Sequence, residues 1–229
     1  MTEAEWLAWA TDPEQMLKLL PTVDAVSERK LRLFAVACCR RAIAAVDVRP
    51  RTEPSVDVAE SFADGEATLT KLQNPRYHPS EPVERSRTNS ALYHACLNAA
   101  EIEFGVVAAD CAAMNAAWGA TQPGTVMPDD NGISEGRLVA EQANQCALLR
   151  DIFGNPFRPP PAFAPEWRTD TALALARQMY DSRDFTAMPI LADALQDAGC
   201  DAADILNHCR DEGTHVRGCW VVDLVLGKE

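Results

Sequence analysis

Glycine is scarce in this chain, with 11 among 229 residues, and aromatic side chains make up only 7%. Runs of β-branched residues are few and alanine is abundant. Sheet proteins draw on β-branched and aromatic residues and on glycine-rich turns, so this shortage leaves helices as the main element. Apolar runs such as Gly105 to Ala109 and Val221 to Leu226 fall far short of the roughly 20 residues a membrane-spanning helix needs. The N-terminus, MTEAEWLAWATDPEQ, carries acids where a secretory signal has a basic region and an apolar one, and predicts no signal peptide. Basic residues are outnumbered, 21 against 34 acids, for a formal net charge of −13. Phosphate backbones need a basic stripe, so a nucleic-acid partner is not expected. The sequence also lacks GxxxxGK[ST], GxGxxG after a strand, HExxH and GxSxG. Asp129-Asp130-Asn131-Gly132 lacks the alternating ligands and closing glutamate of a calcium loop.

What is present is a globular composition, 47% hydrophobic and 24% charged. Without a secretory signal the eight cysteines read as reduced thiols, and a cytoplasmic location follows. Cys38, Cys39, Cys96, Cys111 and Cys146 lie in apolar or alanine-rich helical stretches and read as small buried hydrophobes. The short basic clusters Arg29, Lys30, Arg32 and Arg40, Arg41 read as solvated helix faces.

Helix signals recur along the chain. Thr2 and Glu5 form a capping box, and Asp12-Pro13 opens a second helix. Ser27 caps a longer helix, on which Leu31, Phe34, Ala35, Cys38, Ala42 and Val46 recur at helical spacing. Pro54 and Ser55 start another, which Asp64-Gly65 breaks. Asn74 to Pro82 reads as a loop, and a long helix is expected from about Arg87 to Trp118. Ser134 caps a helix that Gly154-Asn155-Pro156 stops. Phe157 to Pro161 is expected to be extended, because it holds three prolines. Thr169 leads into a helix with Leu173, Ala176, Met179 and Tyr180. These signals predict an all-α fold, an irregular bundle of about nine to eleven helices. It reads as one domain, with 1–120 and 133–229 as sub-lobes joined by the proline- and glycine-bearing loop 121–132. The core is expected to hold Trp6, Trp9, Leu31, Phe34, Cys38, Phe153, Leu191, Leu195, Leu206, Trp220 and Leu224.

The last forty residues are the most legible. Pro189 suits a first helical position, and Ile190, Leu191, Ala194 and Leu195 recur on that helix. Gly199 stops it. Asp201 is expected to cap the next helix, with Asp204 in its first turn and Ile205, Leu206 and Cys209 on its apolar side. The same stretch holds a cluster of metal-competent side chains: Cys200, His208, Cys209, His215 and Cys219. Zinc takes four S or N ligands in a tetrahedron, and Cys209-x5-His215-x3-Cys219 with Cys200 or His208 could supply them. The paired short spacings of structural zinc sites are missing, and His208 and Cys209 point about 100° apart on a helix. A Cys–His nucleophile is the other chemistry open to this set, with Cys219, His208 or His215, and Asp223 as the orienting acid. The sequence favours neither. It reads the stretch as a structural clasp, in which His215-Val216-Arg217-Gly218 docks onto helix ends, with Arg217 pairing an acid and Gly218 allowing close approach, and with no metal, no cofactor and no catalytic residue assigned.

Several strings here resemble those of a family of paralogous planctomycete proteins: MTEAEWL, TDPEQML, ERKLRLFAVACCRR, LLRDIFGNPFRP and MPILADALQDAGC…ILNHCR…HVRGCWVVDLVLGK. They cover about half the chain, mostly its first 45 and last 85 residues. The resemblance implies a bacterial, cytosolic protein and carries no activity with it. Family members often have a Gly/Pro-rich loop before HVRGCW, where this chain has Asp211-Glu212-Gly213-Thr214. The expected function is therefore a non-enzymatic helical scaffold or interaction module whose partner is another protein, by way of its amphipathic helices. The alternative is a metal- or thiol-dependent enzyme using the C-terminal Cys/His cluster.

Overall fold

The computed structural model describes residues 1–8, 12–23, 27–45, 53–74, 94–95, 98–99, 105–121, 135–159 and 161–228. Among them the protein is all-helical. The helices are α1 (Glu3–Ala8), α2 (Pro13–Leu19), α3 (Glu28–Ala45), α4 (Glu53–Ala63), α5 (Leu69–Leu72), α6 (Val106–Thr121), α7 (Glu135–Phe153), α8 (Asp170–Ser182), α9 (Met188–Asp197), α10 (Ala203–Arg210) and α11 (Trp220–Leu226). Short 3-10 turns occupy Leu20–Val23 and Pro165–Trp167. No described helix is long and apolar enough to cross a membrane.

The chain divides into two compact units, Met1–Leu149 and Arg150–Glu229. The division falls within α7, and most of the loop expected at 121–132 lies outside the described residues. Asp151 falls in the second unit, where its carboxylate makes hydrogen bonds to His215 and the Val216 N–H. Trp9 and the Ser134 cap also lie outside the described residues, as do 87–93, 96–97 and 100–104 of the helix expected over 87–118, whose last part is α6.

In the first unit α3 is the axis, packed by α4 and α6. Ala109, Ala112, Ala113, Ala116 and Ala117 of α6 are all buried. Their i, i+3, i+4, i+7 spacing makes a shallow stripe that lets two helices approach closely. The arginines of α3 are not a solvated face. Arg32 is 1% exposed and donates to the Ala99 carbonyl (3.1 Å) and to Glu28 (2.9 Å). Burial lowers its pKa, against the pull of Glu28. Arg29 pairs with Asp64, Arg40 with Asp57 and Glu60, and Arg41 with Glu141. A central helix has few open faces, so its cations must find acids on its neighbours.

The local signals stand where the sequence put them. The Thr2–Glu5 capping box forms in both directions, and the Asp12, Ser27 and Thr169 side chains accept from the first turns of α2, α3 and α8. Asp201 departs from expectation. Ala202 is the N-cap of α10, with no side-chain cap bond, so the helix begins one residue later than expected. Phe157 is not extended either. Its N–H donates to Asn155 Oδ1 (3.1 Å), and the Arg158 N–H donates to the Asn155 carbonyl (3.3 Å), which closes a turn ahead of the prolines.

The second unit has its own core. α8 packs on α9 and α11, α9 on α10, and α10 on α11. The buried stripe of α9 is Met188, Leu191, Ala192 and Leu195, so Ile190, at 59% exposure, lies off it. The Gly199 N–H bonds to the Gln196 carbonyl and the Cys200 N–H to the Leu195 carbonyl, the double closure of a Schellman motif. Gly199 takes φ 89° there. Phe153, Trp220 and Leu224, expected in the core, are half-buried. Trp220 packs against the edge of this core and lies against Gly154 and the His208 ring.

Two stability predictions follow from this core. Leu195 is fully buried, so Leu195→Ala should cost about 2–5 kcal/mol, read as a lower denaturant midpoint. Gly154 has φ 64°, and a Cβ built on it would sit 3.3 Å from the Trp220 ring. Gly154→Ala should therefore lose about 1–2 kcal/mol from the left-handed backbone alone, and an unchanged thermal melt would show that the turn reorganises freely.

Candidate metal centre

Three segments of the second unit bring four titratable side chains to one point. Asp151 sits in the last turn of α7, His208 in the last turn of α10, His215 on the connecting segment, and Cys219 at the N-cap of α11. Helical geometry separates His208 from its neighbour. Cys209, about 100° round the helix, faces the core with Ile205 and Leu206. His215 and Cys219 are joined by a turn in which the Cys219 N–H donates to the Val216 carbonyl (3.0 Å). Gly218 takes φ 91° in that turn, a conformation open to glycine at little cost.

The ligand atoms of Asp151, His208, His215 and Cys219 all lie within 4.8 Å of one another. Asp151 Oδ1 is 2.7 Å from His215 Nδ1 and 3.2 Å from His208 Nε2. Cys219 Sγ is 3.2 Å from that same His208 nitrogen and 4.0 Å from His215 Nδ1. The second carboxylate oxygen, Asp151 Oδ2, accepts from the Val216 N–H (2.9 Å). The imidazoles meet edge to face, with centroids 4.9 Å apart, and His208 also packs on Trp220 at 5.1 Å. Asp151 and Cys219 are buried, and the two histidines are mostly covered. His215 Nε2 is buried and has no hydrogen-bond partner.

Comparison with protein-family models, with curated proteins and with solved structures gave no match. The chemistry of the site rests on its own geometry.

Electrostatics tie the group together. Burial pushes the Asp151 carboxyl up, but hydrogen bonds and charge from His208 and His215 outweigh it and hold the pKa below the usual value. Burial pulls His215 down, while Asp151 and, more weakly, Asp211 raise it further, for a net rise. Burial drives the Cys219 thiol well above its ordinary value, and the Asp151 charge adds to that. Cys209 is pushed up to about 12, first by burial.

Of the five residues the sequence put forward, His208, His215 and Cys219 come together. Cys200 and Cys209 belong to the hydrophobic core instead. Asp223, offered as an orienting acid, is buried on α11 and is not one of the four. Asp151 was missed. A signal for it existed: it is an acid set among Leu148, Leu149 and Ile152, which are buried with it.

The contacts discriminate between the chemistries open to this set. In a Cys–His–acid relay the thiol and the carboxylate address opposite nitrogens of one imidazole, so that a proton can pass across the ring. Here each histidine turns one nitrogen toward both Cys219 and Asp151. That shared focus is the pattern of a chelate. A reactive cysteine also needs a lowered pKa and access, and Cys219 has neither. Native, metal-free protein at pH 7.5 should therefore react with iodoacetamide at Cys219 at least as slowly as at the core residue Cys209, and fast selective labelling of Cys219 would restore the thiol chemistry.

Proposed function

We propose that this chain is a non-enzymatic helical scaffold, presenting its helices to another protein, whose C-terminal unit is clasped by one divalent transition metal at Asp151, His208, His215 and Cys219. The observation that carries this reading is the convergence of a carboxylate oxygen, two imidazole nitrogens and a sulfur on one covered point. Zinc bonds of about 2.0–2.3 Å to such ligands give tetrahedral edges of about 3.3–3.6 Å. Four of the six separations, 2.7, 3.2, 3.2 and 4.0 Å, fall on both sides of that range, and all six lie within 4.8 Å, so the longer ones must contract on binding to close the tetrahedron.

Charge supports the same ion class. A divalent cation with one carboxylate, one thiolate and two neutral imidazoles sums to zero, which is what a buried site tolerates. Sulfur and nitrogen donors favour zinc or cobalt over magnesium or calcium, which prefer oxygen. Four protein ligands fill the tetrahedron and leave no position for water or substrate, so the site reads as structural. The sequence favoured a clasp without metal. The clasp remains, and the proposed ion joins the end of α7 to α10 and α11.

The test is a titration of chelator-treated protein with Co(II). One equivalent should bind, with the strong visible absorption of tetrahedral cobalt and a sulfur-to-cobalt charge-transfer band. Cys219→Ser should lose that band and Asp151→Asn should bind more weakly. Zinc at 100 times its Kd should add about 2.7 kcal/mol of stability. Equal cobalt spectra for the parent and both variants, or a melting temperature indifferent to zinc, would overturn the reading.

A further inference from the structure

We infer that Arg217, which donates no ligand atom, is the positioning residue of this site: it latches the His215–Cys219 arm onto the end of α8. The inference rests on the metal reading for its consequence, and on separate contacts for its geometry.

Two of the four ligands flank a short turn that is neither helix nor strand. The Val216–Cys219 hydrogen bond fixes the shape of that turn but not its location. Arg217, in its middle, reaches away from the cluster. Its Nε donates to the Tyr180 carbonyl at 2.7 Å, and a terminal nitrogen lies 3.5 Å from the Asp181 carbonyl. Both carbonyls belong to the last turn of α8, where the helix leaves acceptors unsatisfied and favours a cation. The guanidinium also lies 4.9 Å from the centroid of the Tyr180 ring.

Tyr180 is a firm post, 3% exposed and part of the core of the second unit. A second cation meets it. Lys228 Nζ is 4.4 Å from the same ring centroid, just beyond α11, while the Lys228 N–H closes α11 on the Asp223 carbonyl. The segment carrying Cys219 is thus held to one aromatic ring on both sides, by Arg217 before it and Lys228 after it. Asp151 Oδ2 takes the Val216 N–H from the other direction. Between these anchors His215 and Cys219 keep their mutual placement before any ion arrives.

Preorganisation of this kind raises affinity by removing the ordering cost from the binding step. Loss of a group that orients metal ligands typically weakens binding about 10–100-fold. Arg217→Ala should show a loss of that size in Co(II) affinity, measured in competition with a chelator. The charge-transfer band at saturation should keep its position, because the ligand set is unchanged. Arg217→Lys keeps a cation for the ring and one donor for the Tyr180 carbonyl, and should recover most of the affinity.

A second measurement is independent of the metal. In chelator-treated protein, Cys219 of Arg217→Ala should be alkylated faster than in the parent, at an unchanged far-ultraviolet helix signal. Should that variant lose its helix signal, Arg217→Gln, which keeps the stem and a neutral donor, is read in its place and should move in the same direction. Cobalt affinity equal to the parent's, together with unchanged alkylation, would overturn the latch. A parent that binds no cobalt while Arg217→Ala still labels faster would sink the metal reading and leave the latch standing.

Discussion

The constraint on which the C-terminal unit depends is the burial of one carboxylate. Asp151 is 4% exposed, and a charge taken out of water costs several kcal/mol unless it is met by partners. The unit meets it with three groups: the two imidazoles and the Val216 N–H. His208 comes from α10, and His215 and Val216 come from the connection that follows it. α10 ends where His208 can reach, the exposed stretch 211–214 turns back to deliver His215, and the Val216–Cys219 turn brings Cys219 to the start of α11. One buried acid is thus a shared anchor for the chain between its last two helices, alongside the Arg217 contacts to the end of α8.

The first unit faces the same constraint and answers it differently. Its charges are settled pairwise, along one helix, by Arg29 with Asp64, Arg40 with Asp57 and Glu60, and Arg41 with Glu141. Arg32, the most buried, takes a backbone carbonyl as well as Glu28. Each of these arginines thus faces an acid of its own, and Arg40 faces two. The cluster around Asp151 is unlike this, since two histidines and a thiol share a single acid and His215 Nε2 stays without a partner. Shared focus on one point is costly for protein groups alone and natural around a cation, which is why the two units invite different readings from the same chemistry.

The distinction between chelate and relay also bears on what the protein is for. A thiol enzyme needs its nucleophile accessible and its imidazole bridged from both sides. The present arrangement seals the thiol and turns each imidazole to one side. The surrounding structure, with Trp220 over His208 and Gly154 fitted against the indole, favours rigidity over access. The proposed clasp would tie the end of α7 to the two short helices α10 and α11 and to the connection between them.

The sequence by itself determined the helical class and most of the places where helices start and stop. Capping boxes, N-caps and glycine stops act between residues three or four apart, so Thr2, Asp12, Ser27, Thr169 and Gly199 could be read without knowing the fold. Asp201 failed because the choice between adjacent N-cap positions depends on how the chain leaves the preceding glycine. Periodicity gave the core of α9 only to within a residue, since a shift of about 100° exchanges Ile190 for Ala192. The sequence likewise gathered His208, His215 and Cys219 as neighbours along the chain. Tertiary structure brought Asp151, 64 residues before His215, to them and sent Cys200 and Cys209 into the core. The reason is physical: a helix presents one side chain toward a site and its neighbour away from it, and which side meets the site is decided by packing against elements that local sequence does not contain.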